Sequence, residues 1–212
     1  MPVRKFLLLL ACLYSWPCLA QSQPTAWRDS LRTLNRQIDL SPRSTDLRLK
    51  KAAVNIELEQ WEYAAEEYGR VLQLDPKNLA ALYYRAYTYT HLNRPDLAQG
   101  DYETFLTIVP RHFEARLGMA MTKRSLGRQV ETMDELNLLV QQFPDSAMAY
   151  AARANYETEL KQYDAALYDW DEAIRLRPGM ADFIASKAQV LRAMKRDDEA
   201  EALLRHRHTI SR

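Results

Sequence analysis

The chain has 212 residues, 27% of them charged and 47% hydrophobic, with five Gly, two Cys and a formal net charge of +1. So few glycines argue against a turn-rich β fold and against a glycine-rich phosphate loop. The near-neutral balance gives no electrostatic reason to expect nucleic acid as a partner.

Residues 1–20 stand apart from the rest. MPVRK carries Arg4 and Lys5, FLLLLACLYSW is an apolar run, and Pro17 leads to Cys18-Leu19-Ala20. A short basic segment, an apolar run of about 7–15 residues and small residues at the exit describe a secretory signal peptide. The run is shorter than the roughly 20 apolar residues that a membrane-spanning helix needs. Cleavage is expected after Ala20, which makes the address the periplasm or the exterior. Lipid anchoring at Cys12 is disfavoured, because the apolar run before it holds only five residues. Removing 1–20 takes away both cysteines and two basic residues, so the charge crosses to slightly negative. The remaining chain then has no thiol for a disulfide, a metal site or a nucleophile, and no later segment is apolar and long enough to span a bilayer.

Residues 21–44 carry one helical stripe, Trp27, Leu31, Leu34 and Ile38. From 45 onward one phrase recurs. WEYAAEEYGRVLQLDP (Trp61 to Pro76) returns as PDLAQGDYETFLTIVP (Pro95 to Pro110) and as YDAALYDWDEAIRLRP (Tyr163 to Pro178). Pro42, Pro76, Pro110, Pro144 and Pro178 are spaced by 34 residues every time, and so are Ala52, Ala86, Ala120, Ala154 and Ala188. Ile38, Leu72, Leu106, Val140 and Ile174 keep the same interval. Several columns in one register, without an insertion, mark an internal repeat.

Within each period the apolar spacing is helical. Ala64, Tyr68, Val71 and Leu72 fall at i, i+4, i+7 and i+8, and Leu49, Ala52, Ala53 and Ile56 form a similar stripe before them. Each unit therefore reads as a helix, a short turn and a second helix. Gly127 and Pro95 suit the turns, Pro95 as the first residue of a helix whose amide is free anyway. The recurring proline stops the second helix, since it has no amide to donate. Asp145-Ser146 supplies N-caps for the helix that follows. Alanine where two helices cross lets their axes approach. The large column Tyr68, Tyr102, Leu136, Trp170 and Leu204 reaches toward the next unit, so neighbours must stack.

This helix–turn–helix of 34 residues, with its alanine, aromatic and proline columns, resembles the tetratricopeptide repeat family. The resemblance covers 45–212 as five units (45–78, 79–112, 113–146, 147–180 and 181–212), with 27–40 similar to a lone capping helix. It implies an all-α fold, a right-handed α-solenoid of helix-turn-helix repeats. Thr132 where alanine is usual, Gln129 where an aromatic is usual and Asn55 in place of a tyrosine depart from the pattern. Resemblance to bacterial members also suggests ion pairs across the hairpins, Lys51 with Glu67, Arg85 with Asp101 and Arg153 with Asp169. If exposed, each would contribute under about 1 kcal/mol.

The resemblance implies a protein partner, a peptide or helix laid in a concave groove lined by the first helices. The lining residues are then Leu49 and Ile56; Tyr83, Tyr87 and His91; Leu117, Met121 and Arg124; Asn155 and Thr158; Gln189 and Arg192. Five first helices about 10 Å apart would offer a trough for about twelve residues of extended chain, at about 3.3 Å each. Tyr83 and Tyr87 are the expected anchors, since aromatic side chains offer large area at low entropy cost. The competing reading makes them ordinary helix wall. The Lys, Asn and Arg set with which some members hold a C-terminal carboxylate is absent, since Leu49 and Ala53 stand at its first positions. His91 near Glu57 and Glu159 is read as a solvated side chain rather than a zinc ligand. His206 and His208 do not converge, because i and i+2 on a helix point apart.

No metal or cofactor is expected. No HExxH, G-x-S-x-G or Walker-type loop occurs, so no enzyme activity is expected either. The function expected from the sequence is that of an exported scaffold or adaptor. The alternative is a structural subunit of a cell-envelope assembly (outer-membrane biogenesis, secretion or pilus type) that uses its convex face or ends.

Overall fold

The computed structural model describes residues 22–210, with side chains described for 25–205; the expected signal peptide lies outside the described residues. The described chain is helical throughout, and it divides into two compact units, 1–93 and 94–212. The boundary falls inside the second sequence period. The first unit holds α1 (Ser22–Leu40), α2 (Thr45–Glu57), α3 (Trp61–Leu74) and α4 (Leu79–His91). The second holds α5 (Pro95–Ile108), α6 (Phe113–Ser125), α7 (Gln129–Gln142), α8 (Ala147–Glu159), α9 (Tyr163–Leu176), α10 (Ala181–Ala193) and α11 (Asp197–Ile210). Within each unit every helix packs on the next in the chain, and α2 also touches α4.

The helix ends show how the sequence sets this rhythm. α2, α4, α6, α8 and α10 have 13 residues each, and α3, α5, α7, α9 and α11 have 14. The 13-residue helices end two residues before a left-handed residue. Glu59, Asn93, Gly127, Lys161 and Lys195 have φ of 55°, 53°, 72°, 59° and 61°. Only one of the five is glycine, the residue that takes this conformation without steric cost. Pro95 opens α5 at its first turn, as expected. Ser44, Asn78 and His112 accept the amides of Leu47, Ala81 and Ala115 and so cap α2, α4 and α6. Ser146 occupies the N-cap position of α8 but makes no side-chain cap bond. The expected cap there is positional only, and the first turn is held by Ala149 donating to the Ser146 carbonyl at 2.9 Å.

The alanine columns lie at the helix crossings. Ala52, Ala64, Ala86, Ala98, Ala120, Ala154 and Ala166 are completely buried. Thr132, in the alanine place of α7, is equally buried and donates its hydroxyl to the Arg128 carbonyl at 2.8 Å. Tyr68 anchors the core of the first unit with Val71 and Ala81. Leu136 with Leu139, and Trp170 with Phe183, do the same in the second unit.

Candidate binding surfaces

In the first unit the expected lining residues divide into two groups. Leu49 and Ile56 turn inward and pack on the cluster around Ala52 and Tyr68, so they are half-buried wall. Tyr83, Tyr87 and His91 sit on successive turns of α4. Tyr83 meets Tyr84 edge to face with ring centres 5.1 Å apart. Tyr87 is 36% exposed and meets the His91 ring at 4.5 Å.

The sequence reading missed Trp61. Its indole stacks on the His91 imidazole with centres 4.0 Å apart and planes within 2°, and Tyr87 stands edge-on to it at 6.2 Å. His91 is exposed, and one face of its ring is held in an aromatic triad. α3 runs antiparallel to α4, so the first residue of α3 lies level with the last turn of α4. A large aromatic at a helix start, four residues after the preceding helix ends, was the available signal.

In the second unit Leu117 and Met121 are half-buried against the cluster of Ala120, Leu136 and Leu139. Arg124 pairs with Glu159 at 2.5 Å, tying the ends of α6 and α8, and its guanidinium lies 3.9 Å from the Met121 sulfur. Asn155, Gln189 and Arg192 are exposed. Thr158 is half-buried and donates to the Ala154 carbonyl at 2.7 Å. The exposed side of α6, α8 and α10 is thus mixed and polar, whereas that of α4 is aromatic. Among the described residues no three His, Cys, Asp or Glu side chains gather as a metal site would require.

The expected hairpin ion pairs need correcting in one respect: they are not exposed. The Glu67 side chain is 4% exposed and accepts from Lys51 at 2.9 Å, but also from Arg48 and Arg70 at 2.9 Å each. Asp169, 1% exposed, accepts both Nε and Nη2 of Arg153, at 2.6 and 2.8 Å. In α7, Glu135 takes the same role with Arg116 at 2.7 Å and Lys123 at 2.9 Å. Burial changes the energetics, because removing one partner strands a desolvated charge and costs about 3–5 kcal/mol. Glu157 shares Arg153 with Asp169 only weakly, at 4.0 Å, and its Oε2 is buried without a hydrogen-bond partner. Burial, and then the neighbouring Asp169 charge, push the Glu157 carboxyl up to about 7.

The geometry defines a class, tandem helical hairpins, three of which are braced by buried ion pairs. Comparison with known proteins places it. Residues 114–146 match the tetratricopeptide repeat family. The chain is 34% identical over 86 residues to sperm-associated antigen 1 of Mus musculus, covering 41% of this chain and 9% of that protein. It is 24% identical over 200 residues to the DnaJ homolog subfamily C member 7 homolog of Dictyostelium discoideum, covering 87% of this chain and 36% of that protein. The chain thus spans well under half the length of either relative.

Solved structures share the fold. MamA of Desulfovibrio magneticus superposes with a TM-score of 0.69 at 14% identity, over 79% of this chain and 94% of that one. A tetratricopeptide repeat protein of Parabacteroides merdae gives 0.67 at 20% identity, over 89% and 74%. YrrB, described as a tetratricopeptide repeat protein with an unusual peptide-binding site, gives 0.62 at 16%, over 84% and 91%. Residues 114–146 thus match the tetratricopeptide repeat family, and the chain shares the all-helical repeat fold of these solved structures.

Proposed function

We propose that the protein is an exported adaptor that grips a peptide or helix of another protein on the exposed side of its 13-residue helices. The carrying observation is the triad of Trp61, Tyr87 and His91. Three rings hold one another in fixed orientation at the end of α4, and Tyr87 remains one-third exposed. Rigid aromatic area that needs little ordering is what a binding anchor offers. YrrB, of the same fold, is described by its peptide-binding site, which is in keeping with this reading. Residues 1–20 would direct the chain out of the cytoplasm, so the native protein should begin at Gln21 when its N-terminus is sequenced.

A second reading rests on the 14-residue helices. Tyr63 on α3 is 60% exposed, Val130 on α7 76% and Tyr168 on α9 64%. Apolar side chains this exposed would suit a subunit of an envelope assembly that docks by its outer surface. Photo-crosslinkers at Tyr87 and at Tyr168, in the native host, separate the two. A discrete adduct at Tyr87 alone supports the adaptor; one at Tyr168 alone supports the assembly subunit. Tyr87→Ala should weaken the partner at least tenfold with helicity unchanged. Undiminished binding in that variant would refute the anchor.

A further inference from the structure

Four of the five 14-residue helices carry an acid in one column, Glu67, Asp101, Glu135 and Asp169. Where the pairing is described, this acid sits opposite a largely buried cation of the preceding helix (Lys51, Lys123 and Arg153). The fifth hairpin breaks the rule. Lys187 stands where Arg153 stands one period earlier, but position 203 is leucine. Leu191 replaces Glu157 and Ala202 replaces Tyr168.

A cleft of about 360 Å³ lies between α9, α10 and α11, where the small Ala202 stands in the place of the large Tyr168. Leu167, Leu191 and Leu203 form its apolar part. Lys187 is 18% exposed and pairs with Asp171 on the rim, which is 59% exposed; its charge also acts on Glu199. Arg196, 39% exposed, pairs with Glu199, 58% exposed. The two cations therefore lie deeper than the two acids, although the four charges cancel. The volume lies at the low end of the roughly 300–1,000 Å³ that small-ligand sites occupy.

We infer that this cleft binds a small carboxylate with an unbranched apolar tail, of the size of a medium-chain fatty acid. Its head replaces the acid missing at position 203. Its carboxylate accepts hydrogen bonds from Lys187 and Arg196, while Asp171 swings into solvent, where its charge is hydrated at little cost. Its tail covers the half-buried Leu167 and Leu203 above the buried Leu191. Charge selects the head, and apolar area supplies the affinity.

The test is a titration of the isotope-labelled chain with octanoate, followed by amide shifts. Saturable shifts confined to α9, α10 and α11 are expected, with octan-1-ol binding at least tenfold more weakly. Lys187→Met keeps the apolar stem and should weaken octanoate at least tenfold. Leu203→Glu restores the acid of the other hairpins and should abolish binding while Lys187 gains a permanent partner. The inference is overturned if no saturable shift occurs, if octan-1-ol binds as tightly, or if Lys187→Met binds octanoate unchanged. None of these outcomes bears on the aromatic triad in the other unit.

Discussion

Glu157 is the residue at which burial and charge are least reconciled. One guanidinium, Arg153, serves two buried carboxylates, and Asp169 takes both of its short hydrogen bonds. With the Glu157 carboxyl raised from 4.5 to about 7, the folded chain holds this proton more tightly than the unfolded chain. Stability is therefore full below about pH 4.5 and falls as pH rises to about 7, by an amount on the order of 3 kcal/mol. Urea unfolding of the native chain and of Glu157→Gln at pH 5 and pH 8 checks this. The difference between the two pH values should shrink in the variant, and an unchanged difference would assign the effect elsewhere. At Lys161, φ of 59° strains any residue with a Cβ. Lys161→Gly should stabilise the chain by up to about 1 kcal/mol, read as a shift in the urea midpoint.

Between helices, the packing turns on single methyl groups. Gly118 in α6 faces Tyr102 of α5, and a Cβ built there would lie 2.5 Å from the phenol carbon and oxygen. Tyr102 is 2% exposed, so its ring has no room to move aside. Gly118→Ala should cost about 1–3 kcal/mol through overpacking. Gly100 in α5 has nothing within 4 Å of a built Cβ. Gly100→Ala should instead stabilise by about 0.5–1 kcal/mol, since alanine is the better helix former. Thermal melts of the two variants should move in opposite directions, and the same sign for both would contradict the packing described.

For the molecule as a whole, stability is distributed hairpin by hairpin, because each helix packs mainly on its neighbours in the chain. In such stacks a local defect opens its own neighbourhood first. Trp170, 2% exposed, holds α9 to Phe183 of α10. Trp170→Ala should cost about 3–5 kcal/mol, and hydrogen exchange should show lost protection in α8, α9 and α10 before α2 and α3. Uniform loss along the chain would mean that the two compact units unfold as one.

The sequence by itself determined the period, the helices and the small and large columns, because local backbone preference and one-sided apolarity repeat every 34 residues. Every helix from 45 onward begins where that period places it, and Ala52 and Ala154 are buried as their crossings demand. Tertiary structure alone decided what surrounds the polar groups. Burial of Glu67 and Asp169 depends on the helix packed above them, which no spacing states. The stacking of Trp61 on His91 joins residues 30 apart, brought level only by antiparallel packing. The cleft beside Lys187 joins residues of α9, α10 and α11 that lie far apart in the sequence, a juxtaposition that only the folded chain expresses.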